Sequence, residues 1–410
     1  MKIGIVGGGA SGMTAAIAAA RQGAQVTILE RNDRIGKKIL ATGNGKCNLS
    51  NLDFQTEYYR SEDPERVGTI IKADAVRQAQ LFFEQIGLMI KSKNGYLYPE
   101  CEQASAVLDV LRHELTHLNV RVVCDEEVVT AKKRTGGGFA LETKSGRKYI
   151  FDRVILSCGT SAGLKKGTKT DLPKSVASIY GLDYVKQVPA LVQLRCEEDF
   201  CKALAGVRCQ AGVTLRVGND TYREDGELQL TDYGISGIPV FQLSRFASYG
   251  LLREQKLPVE IDFLPSLKEK EWEEFLRARR QTLDYKSMED FLIGTVHKKI
   301  AGVLLKQCGI RPAETAGCVN DSQYAKLSRL MKHFPMTVTG TNPIENSQVL
   351  AGGIKLTEVS ENMELIKCEG LYLTGELLDA DGRCGGYNLQ WAWSTGITAG
   401  IAAGNRRALF

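Results

Sequence analysis

The opening stretch MKIGIVGGGASGMTAAIAAARQGAQVTILE leaves this chain few folds to choose from. Lys2–Val6 is a β-branched apolar run of the kind buried as a parallel strand. Gly7, Gly9 and Gly12 follow in the G-x-G-x-x-G spacing, and residues 13–20 read as a helix of small side chains. Gly7 allows the tight strand-to-helix turn, Gly9 lets a pyrophosphate approach the backbone, and Gly12 lets the helix lie close to the strand. Phosphates would rest on the helix N-terminus, where unpaired N–H groups and the dipole favour negative charge. In a chain with 42 glycines this spacing alone is a weak signal, but the rest of the unit is present. Ala16 sits where the helix presses on the sheet, and Gly23 is placed to end the helix in a left-handed conformation. Residues 26–29 read as the second strand, and Glu30 closes it. An acid at that distance bonds an adenosine ribose 2′-hydroxyl and repels a 2′-phosphate, which argues against NADP on this loop.

The next stretch, RNDRIGKKILATGNGKCNLSN, is polar and rich in glycine. Gly36, Gly43 and Gly45 break any helix, Lys37, Lys38 and Lys46 gather positive charge, and Asn44, Asn48 and Asn51 add neutral donors and acceptors. Directly after a ribose-binding acid, such a loop is well placed to wrap the middle of a long dinucleotide.

At 410 residues the chain has room for two or three domains and a sizeable core. Its 53 basic and 48 acidic residues nearly cancel, leaving a net charge of +5, too balanced to argue for nucleic acid as a partner. The first residues lack the basic, apolar and cleavable pattern of a secretory leader, and no apolar run reaches the length of a membrane helix. Eleven cysteines with no C-x-x-C pair fit reduced thiols and a cytoplasmic location.

Further along, 73–86 reads as an amphipathic helix, 87–98 as a strand-turn-strand, and 104–118 as a second helix leading into a strand at 120–124. Residues 127–132 and Phe139–Thr143 flank a glycine turn as a hairpin, and Arg153–Leu156 is another buried strand ending in Ser157-Cys158-Gly159-Thr160. The helix at 104–118 contains His113-Glu114-Leu115-Thr116-His117, which matches the zinc-protease pattern H-E-x-x-H. At about 100° per residue, however, Ala104, Leu108, Leu111, Leu115 and Leu118 form one apolar stripe, and the two histidines fall opposite it. A catalytic zinc needs ligands that converge in a cleft, so no metal is expected.

From Leu191 the texture changes to short alternating runs, and 191–264 reads as an antiparallel sheet or small barrel. Residues 268–307 and 322–332 read as helical, and 334–339 and 347–357 return to strand patterning. The expected organisation is therefore an α/β nucleotide domain (1–190 and 358–410). It is interrupted by a β domain (191–265 and 334–357) and a small helical domain (266–333). In the C-terminal return, 370–374 is a strand, LLDADGRCGGYN a loop, and 389–400 a helix for which Asn388 is a good N-cap. Trp391 and Trp393 are assigned to the core.

With both ends in view, the stretches GKKILATGNGKCN and GGYN, with GELQLTDYGISGIPVFQLSR in the middle, make the chain resemble the BaiN-like (YhiN-like) family of bacterial FAD-dependent oxidoreductases. The resemblance runs over essentially the whole chain. It implies a Rossmann-like FAD domain of the two-dinucleotide-fold flavoprotein type, carrying an inserted antiparallel β-barrel-like domain and a small helical domain. By the same resemblance Gly7 belongs to the phosphate loop, and Gly9, Ala10, Ser11 and Gly12 hold the pyrophosphate. Glu30 with Arg31 holds the adenosine ribose, and Val128 meets adenine through its backbone. Lys37, Thr42, Gly43, Asn44 and Asn48 line the ribityl and flavin region. Cys158, where related flavoproteins often have Ala or Thr, closes one side with Gly159, and Gly375, Glu376, Gly386, Asn388 and Leu389 come from the C-terminal return.

A bound flavin would carry the redox chemistry. The chain has no second G-x-G-x-x-G, hence no dedicated nicotinamide domain. The resemblance implies a small-molecule reductase in which NADH or NADPH visits the flavin and an activated C=C, such as that of an unsaturated 3-oxo steroid or bile-acid-like compound, is reduced. The alternative is an FAD-dependent amine oxidase acting on a small aminoketone with oxygen as acceptor. A reading of another class is a tRNA-interacting flavoprotein, for which 165–174 (KKGTKTDLPK) is the densest basic stretch, although it reads as a solvated loop. Tyr387, Tyr96, Tyr98 and Lys46 lie near the motifs and could move a proton, but the sequence selects no catalytic residue.

Overall fold

Strand β1 (Lys2–Val6), helix α1 (Ala10–Arg21) and strand β2 (Gln25–Leu29) form one β-α-β unit in the computed structural model, which describes residues 1–163 and 172–405. β1 is central in a five-stranded parallel sheet whose order is Leu371–Leu373, Arg153–Leu156, β1, β2, Arg121–Val123. Ile3 through Val6 are all buried, as a parallel strand covered on both faces requires. A Cβ on Gly4 would stand 2.3 Å from the Phe151 ring, so this glycine lets the antiparallel sheet Val128–Lys133, Phe139–Thr143 and Lys148–Phe151 lie against the strand.

Two helices complete the packing around the first glycine loop. In Ala104–His117 the residues Ala104, Val107, Leu108, Leu111 and Leu115 are buried, whereas His113 and His117 are exposed on the other side. The C-terminal helix Tyr387–Gly404 crosses α1 at near backbone contact. Cβ atoms added to Gly396 and Gly400 would lie 2.4 Å from the carbonyl oxygens of Ser11 and Ala15. Trp391 and Trp393 are buried, and their ring N–H groups donate to the carbonyls of Gly375 and Leu49 at 3.1 Å.

The chain divides into two compact units, Met1–Gln187 with Val349–Phe410, and Val188–Gln348. The second is built on a closed six-stranded antiparallel barrel. Its strands run in the order Leu194–Cys196, Gly234–Gly237, Asp220–Thr231, Arg208–Val217, Leu257–Asp262 and Phe334–Thr341. Helices Glu269–Thr282, Lys298–Cys308 and Asp321–Lys332 accompany it.

One element departs from expectation. Residues 238–252, read as part of a sheet, form the helix Ile238–Leu252. Leu243, Ala247 and Gly250 recur at helical spacing and are buried, but polar residues interleave with them so that strand-like alternation hides the period. Gly237, at φ +103, starts the helix, and Pro239 lies in its first turn, where no N–H is needed. The basic stretch at 165–174 lies largely outside the described residues.

Candidate functional site

The glycine loop is folded as its spacing requires. Gly7, at φ +101, donates its N–H to the Leu29 carbonyl at 2.8 Å, and a Cβ there would lie 2.5 Å from the Ser157 carbonyl oxygen. A Cβ on Gly12 would lie 1.9 Å from the Gly7 carbonyl oxygen, so the first turn of α1 can close only over glycine. Gly9 is the N-cap of α1 with no side chain capping it, and a Cβ there would meet nothing within 4 Å. The helix start at Gly9, Ala10, Ser11 and Gly12 thus carries N–H groups without intrahelical partners, and Gly9 opens onto free space. That combination of free donors and positive dipole end suits a pyrophosphate.

Glu30 lies at the end of β2 and is buried. Its Oε2 accepts the Gly8 N–H at 2.8 Å, and its Oε1 accepts the Asn32 backbone N–H at 2.9 Å and the Asn32 amide at 2.6 Å. A carboxylate offers about four lone-pair sites, so one remains for a ligand hydroxyl. Arg31 follows with its Nη1 buried and without a partner. Cys158 lies beside Gly7, within electrostatic reach of Glu30 and Arg31, and burial pushes its thiol up to about 12, so it is present as a neutral side chain. Gly159, at φ +60, turns the chain away. Val128 is buried at the start of its strand.

The polar loop folds back onto both ends of the site. The Gly36 N–H donates to the Gly8 carbonyl at 2.8 Å, tying the loop to the glycine turn. Thr42 donates its hydroxyl to the Ile39 carbonyl at 2.6 Å, and Gly43 and Asn44 are both left-handed at φ +54. A Cβ on Gly43 would sit 3.0 Å from the Asn48 nitrogen. Of the paired lysines, Lys37 bonds Asp33 at the surface, whereas Lys38 reaches both oxygens of Glu376 at 2.8 Å. Thr160 also donates to Glu376 at 2.8 Å. Loop, second glycine turn and C-terminal return are therefore held at one carboxylate.

Gly375 is clamped by the C-terminal helix: its N–H donates to Thr395 Oγ1 at 3.0 Å and its carbonyl accepts the Trp391 ring N–H. Gly386, not Asn388, is the N-cap of that helix. Asn388 lies inside the first turn, accepts the Gly382 N–H at 2.8 Å and donates to the Gly382 carbonyl at 2.8 Å, so it closes the preceding loop. Leu389 follows it, partly buried. A Cβ on Gly386, at φ +97, would lie 2.9 Å from Asn48 Oδ1, which is itself buried without a partner.

The residues considered for proton transfer lie near one another but meet different partners. Tyr387 donates to the Asp53 carbonyl at 2.7 Å and packs edge-on against Tyr58 and Tyr59. Lys46 pairs with Glu102 at 2.6 Å, and Glu102, also beside Lys91, is held down to about 2. Tyr96 and Tyr98 alternate with buried Leu97 on one strand and share a face. The Tyr96 ring lies 3.0 Å from a Cβ built on Gly385. Burial raises Tyr98, and the neighbouring Lys46 draws it back.

Two buried polar atoms without partners, Arg31 Nη1 and Asn48 Oδ1, and the open N-terminus of α1 make these residues fit a bound dinucleotide cofactor. The sequence reading counted Lys38 only among the basic residues of the loop, without its partner Glu376, and passed over the glycines of the C-terminal helix. Gly396, Gly400 and Gly404 recur every fourth position on one helix face, a small-residue spacing that signals a close helix crossing.

A family model described as HI0933-like protein Rossmann domain matches residues 1–402. A 3-dehydro-bile acid delta(4,6)-reductase from Clostridium scindens is 43% identical over 410 residues, covering 99% of either chain. A ribosomal RNA dihydrouridine synthase from Haemophilus influenzae is 26% identical over 413 residues, covering 97% of either chain. Among solved structures, a 3-ketosteroid-delta4-(5alpha)-dehydrogenase from Rhodococcus jostii has a TM-score of 0.48 at 17% identity, covering 98% of this chain and 96% of that one.

Proposed function

The chain belongs to the HI0933-like Rossmann-domain family and is a flavin-dependent oxidoreductase, and from that premise we propose that it reduces a C=C conjugated to a ring ketone, with NADH or NADPH as donor. The observation that carries this reading is the 43% identity to a delta(4,6)-reductase of 3-dehydro-bile acids, sustained over the whole of both chains. The steroid-like enone is the substrate class proposed.

The residues divide the work. The α1 N-terminus and Gly9–Gly12 hold the FAD pyrophosphate, Glu30 and Arg31 the adenosine ribose, and Val128 with Cys158 and Gly159 the adenine side. Thr42, Gly43, Asn44 and Asn48 face the flavin half from one side, Gly375, Gly386 and Leu389 from the other, with Glu376 and Lys38 locking the two together. Bound FAD supplies two-electron transfer between nicotinamide and substrate. In the net reaction the nicotinamide is oxidised, hydride is added to the carbon β to the ketone, and a proton is added to the α carbon.

The relative that is a ribosomal RNA dihydrouridine synthase favours a second reading, since dihydrouridine is uridine with its ring C=C reduced. Chemistry and cofactor would be shared, and only the substrate would differ. The test is anaerobic mixing of the yellow protein with NADH or NADPH, then with an unsaturated steroid ketone. Expected are bleaching by the nicotinamide, return of the flavin spectrum on adding the enone, and a product two mass units heavier per bond reduced. Bleaching only by amines, or reoxidation only by uridine-containing RNA, overturns the reading.

A further inference from the structure

We propose that Tyr184 is a further residue of the cofactor site, its hydroxyl bonding the adenosine diphosphate half of FAD; this rests on the flavin reading above. Tyr184 opens the strand Tyr184–Ala190 and belongs to the same compact unit as the glycine loop and Glu30. Its hydroxyl oxygen is buried and has no hydrogen-bond partner. Other phenols in the structure are satisfied from within. Tyr59, Tyr180 and Tyr324 each donate to a backbone carbonyl at 3.1 Å, and Tyr387 does so at 2.7 Å. A phenol oxygen sealed from water gives up its hydration, so a tyrosine hydroxyl that is buried normally ends on a partner. For Tyr184 the partner must come with a ligand.

Its neighbours locate that ligand. The strand of Tyr184 pairs with Val349–Ile354, and a Cβ on Gly353 of that second strand would lie 2.7 Å from the Leu377 carbonyl oxygen. The turn Gly375–Leu377 is therefore the next layer, and its Glu376 accepts the hydroxyl of Thr160, two residues beyond Cys158. The phenol lies within electrostatic reach of Cys158 itself. So does Arg31, whose buried Nη1 also lacks a partner. Cys158 adjoins the phosphate loop, since a Cβ on Gly7 would lie 2.9 Å from its Cα. The next residue faces open space, because a Cβ on Gly159 would meet nothing within 4 Å.

Burial pushes both the Tyr184 phenol and the Cys158 thiol up to about 12, so both are neutral and Tyr184 keeps a proton to donate. Arg31 can only donate. Two stranded donors gathered about Cys158 call for a ligand dense in acceptor oxygens, and the ribose and phosphates of an adenosine diphosphate supply them.

The test compares wild type with Y184F, which deletes only the oxygen. Both are purified as yellow holoenzymes, dialysed until free of FAD, and melted at graded concentrations of FAD or of ADP, so that the rise in Tm reports affinity. Without ligand, Y184F is expected to melt no lower than wild type, because no bond within the fold is lost and an unpaired buried oxygen is removed. Its affinity for FAD and for ADP should each fall about tenfold, the worth of one hydrogen bond to a charged or strongly polar acceptor. Unchanged affinity for FAD overturns the assignment. A ligand-free Y184F that melts below wild type overturns it too, since the hydroxyl would then serve the fold. Weakening of FAD with ADP unaffected overturns the placement at the adenosine half. Wild type that is colourless and gains no stability from FAD overturns the flavin reading and this proposal together.

Discussion

Glu30 and Gly8 are joined by a 2.8 Å hydrogen bond from the Gly8 N–H to the Glu30 carboxylate, so the acid proposed to hold the ribose also braces the phosphate loop. Replacing Glu30 by Ala removes a ligand contact and strands three donors, the Gly8 N–H and two from Asn32. Each stranded buried donor costs about 1–3 kcal/mol. Glu30→Ala should lose FAD at least about tenfold more readily on dialysis and melt at lower temperature. Glu114→Ala, which breaks only the surface pair with Arg21, should shift stability by less than about 1 kcal/mol. Equal losses of FAD in the two variants would refute the assignment.

The crossing of α1 and the C-terminal helix reverses an ordinary expectation. Gly→Ala inside a helix usually stabilises by about 1 kcal/mol. At Gly400 the added methyl would stand 2.4 Å from the Ala15 carbonyl oxygen and 2.7 Å from Ala18 Cβ, and backbone cannot step aside. Gly400→Ala should therefore destabilise the protein and loosen the phosphate loop above it. Gly302, an exposed helical glycine with nothing within 4 Å of an added Cβ, is the control, and Gly302→Ala should stabilise. Urea melts that move in the same direction for both variants would show that the helices are not in backbone contact.

What could be read in the sequence was local and periodic. β1, the glycine turn and Glu30 lie in one short stretch whose spacing is set by a single β-α-β unit, so the pattern and its physical cause coincide. The barrel hairpins were legible for the same reason. Features that depend on a partner far along the chain were not. Lys37 and Lys38 are chemically alike, and only the position of Glu376, 338 residues from Lys38, decides which lysine it meets. Asn388 has every property of an N-cap, yet the left-handed Gly386 two residues earlier starts the helix and frees Asn388 to close the loop at Gly382. The helix Ile238–Leu252 was hidden because its apolar period is overlaid by an alternation that strands also show.

A buried acid makes stability depend on pH. Glu126 is buried, and hydrogen bonds from Ser145 first, then Thr143, Tyr149 and Arg147, hold its carboxyl down to about 2. A folded pKa below the unfolded one stabilises the protein at pH values above the unfolded carboxylate range, and that contribution disappears as pH falls through about 2. Glu126→Gln should cost about 2 kcal/mol at neutral pH and almost nothing near pH 2, flattening the acid limb of the stability curve. Parallel curves for wild type and variant would mean that Glu126 titrates normally in the fold.

Lys332 is another buried charge, and its partners lie far from it in the chain. It ends the helix Asp321–Lys332, yet its ammonium is buried, donating to Asp262 at 2.8 Å and to the carbonyls of Leu264 and Leu267 at 2.8 and 2.6 Å. One side chain thus pins the end of the barrel strand Leu257–Asp262 to a helix of the same unit. Lys332→Met leaves the Asp262 carboxylate with the Leu264 N–H at 2.9 Å and Arg223 at 3.5 Å, and takes the ammonium donor from two carbonyls, which should cost about 3–5 kcal/mol. Replacing both charges, as Lys332→Met with Asp262→Leu, removes the stranded carboxylate and should recover part of that loss. A double variant no more stable than the single one, measured by urea unfolding followed at Trp272 in the same unit, would show that the carbonyl contacts and not the ion pair hold this corner.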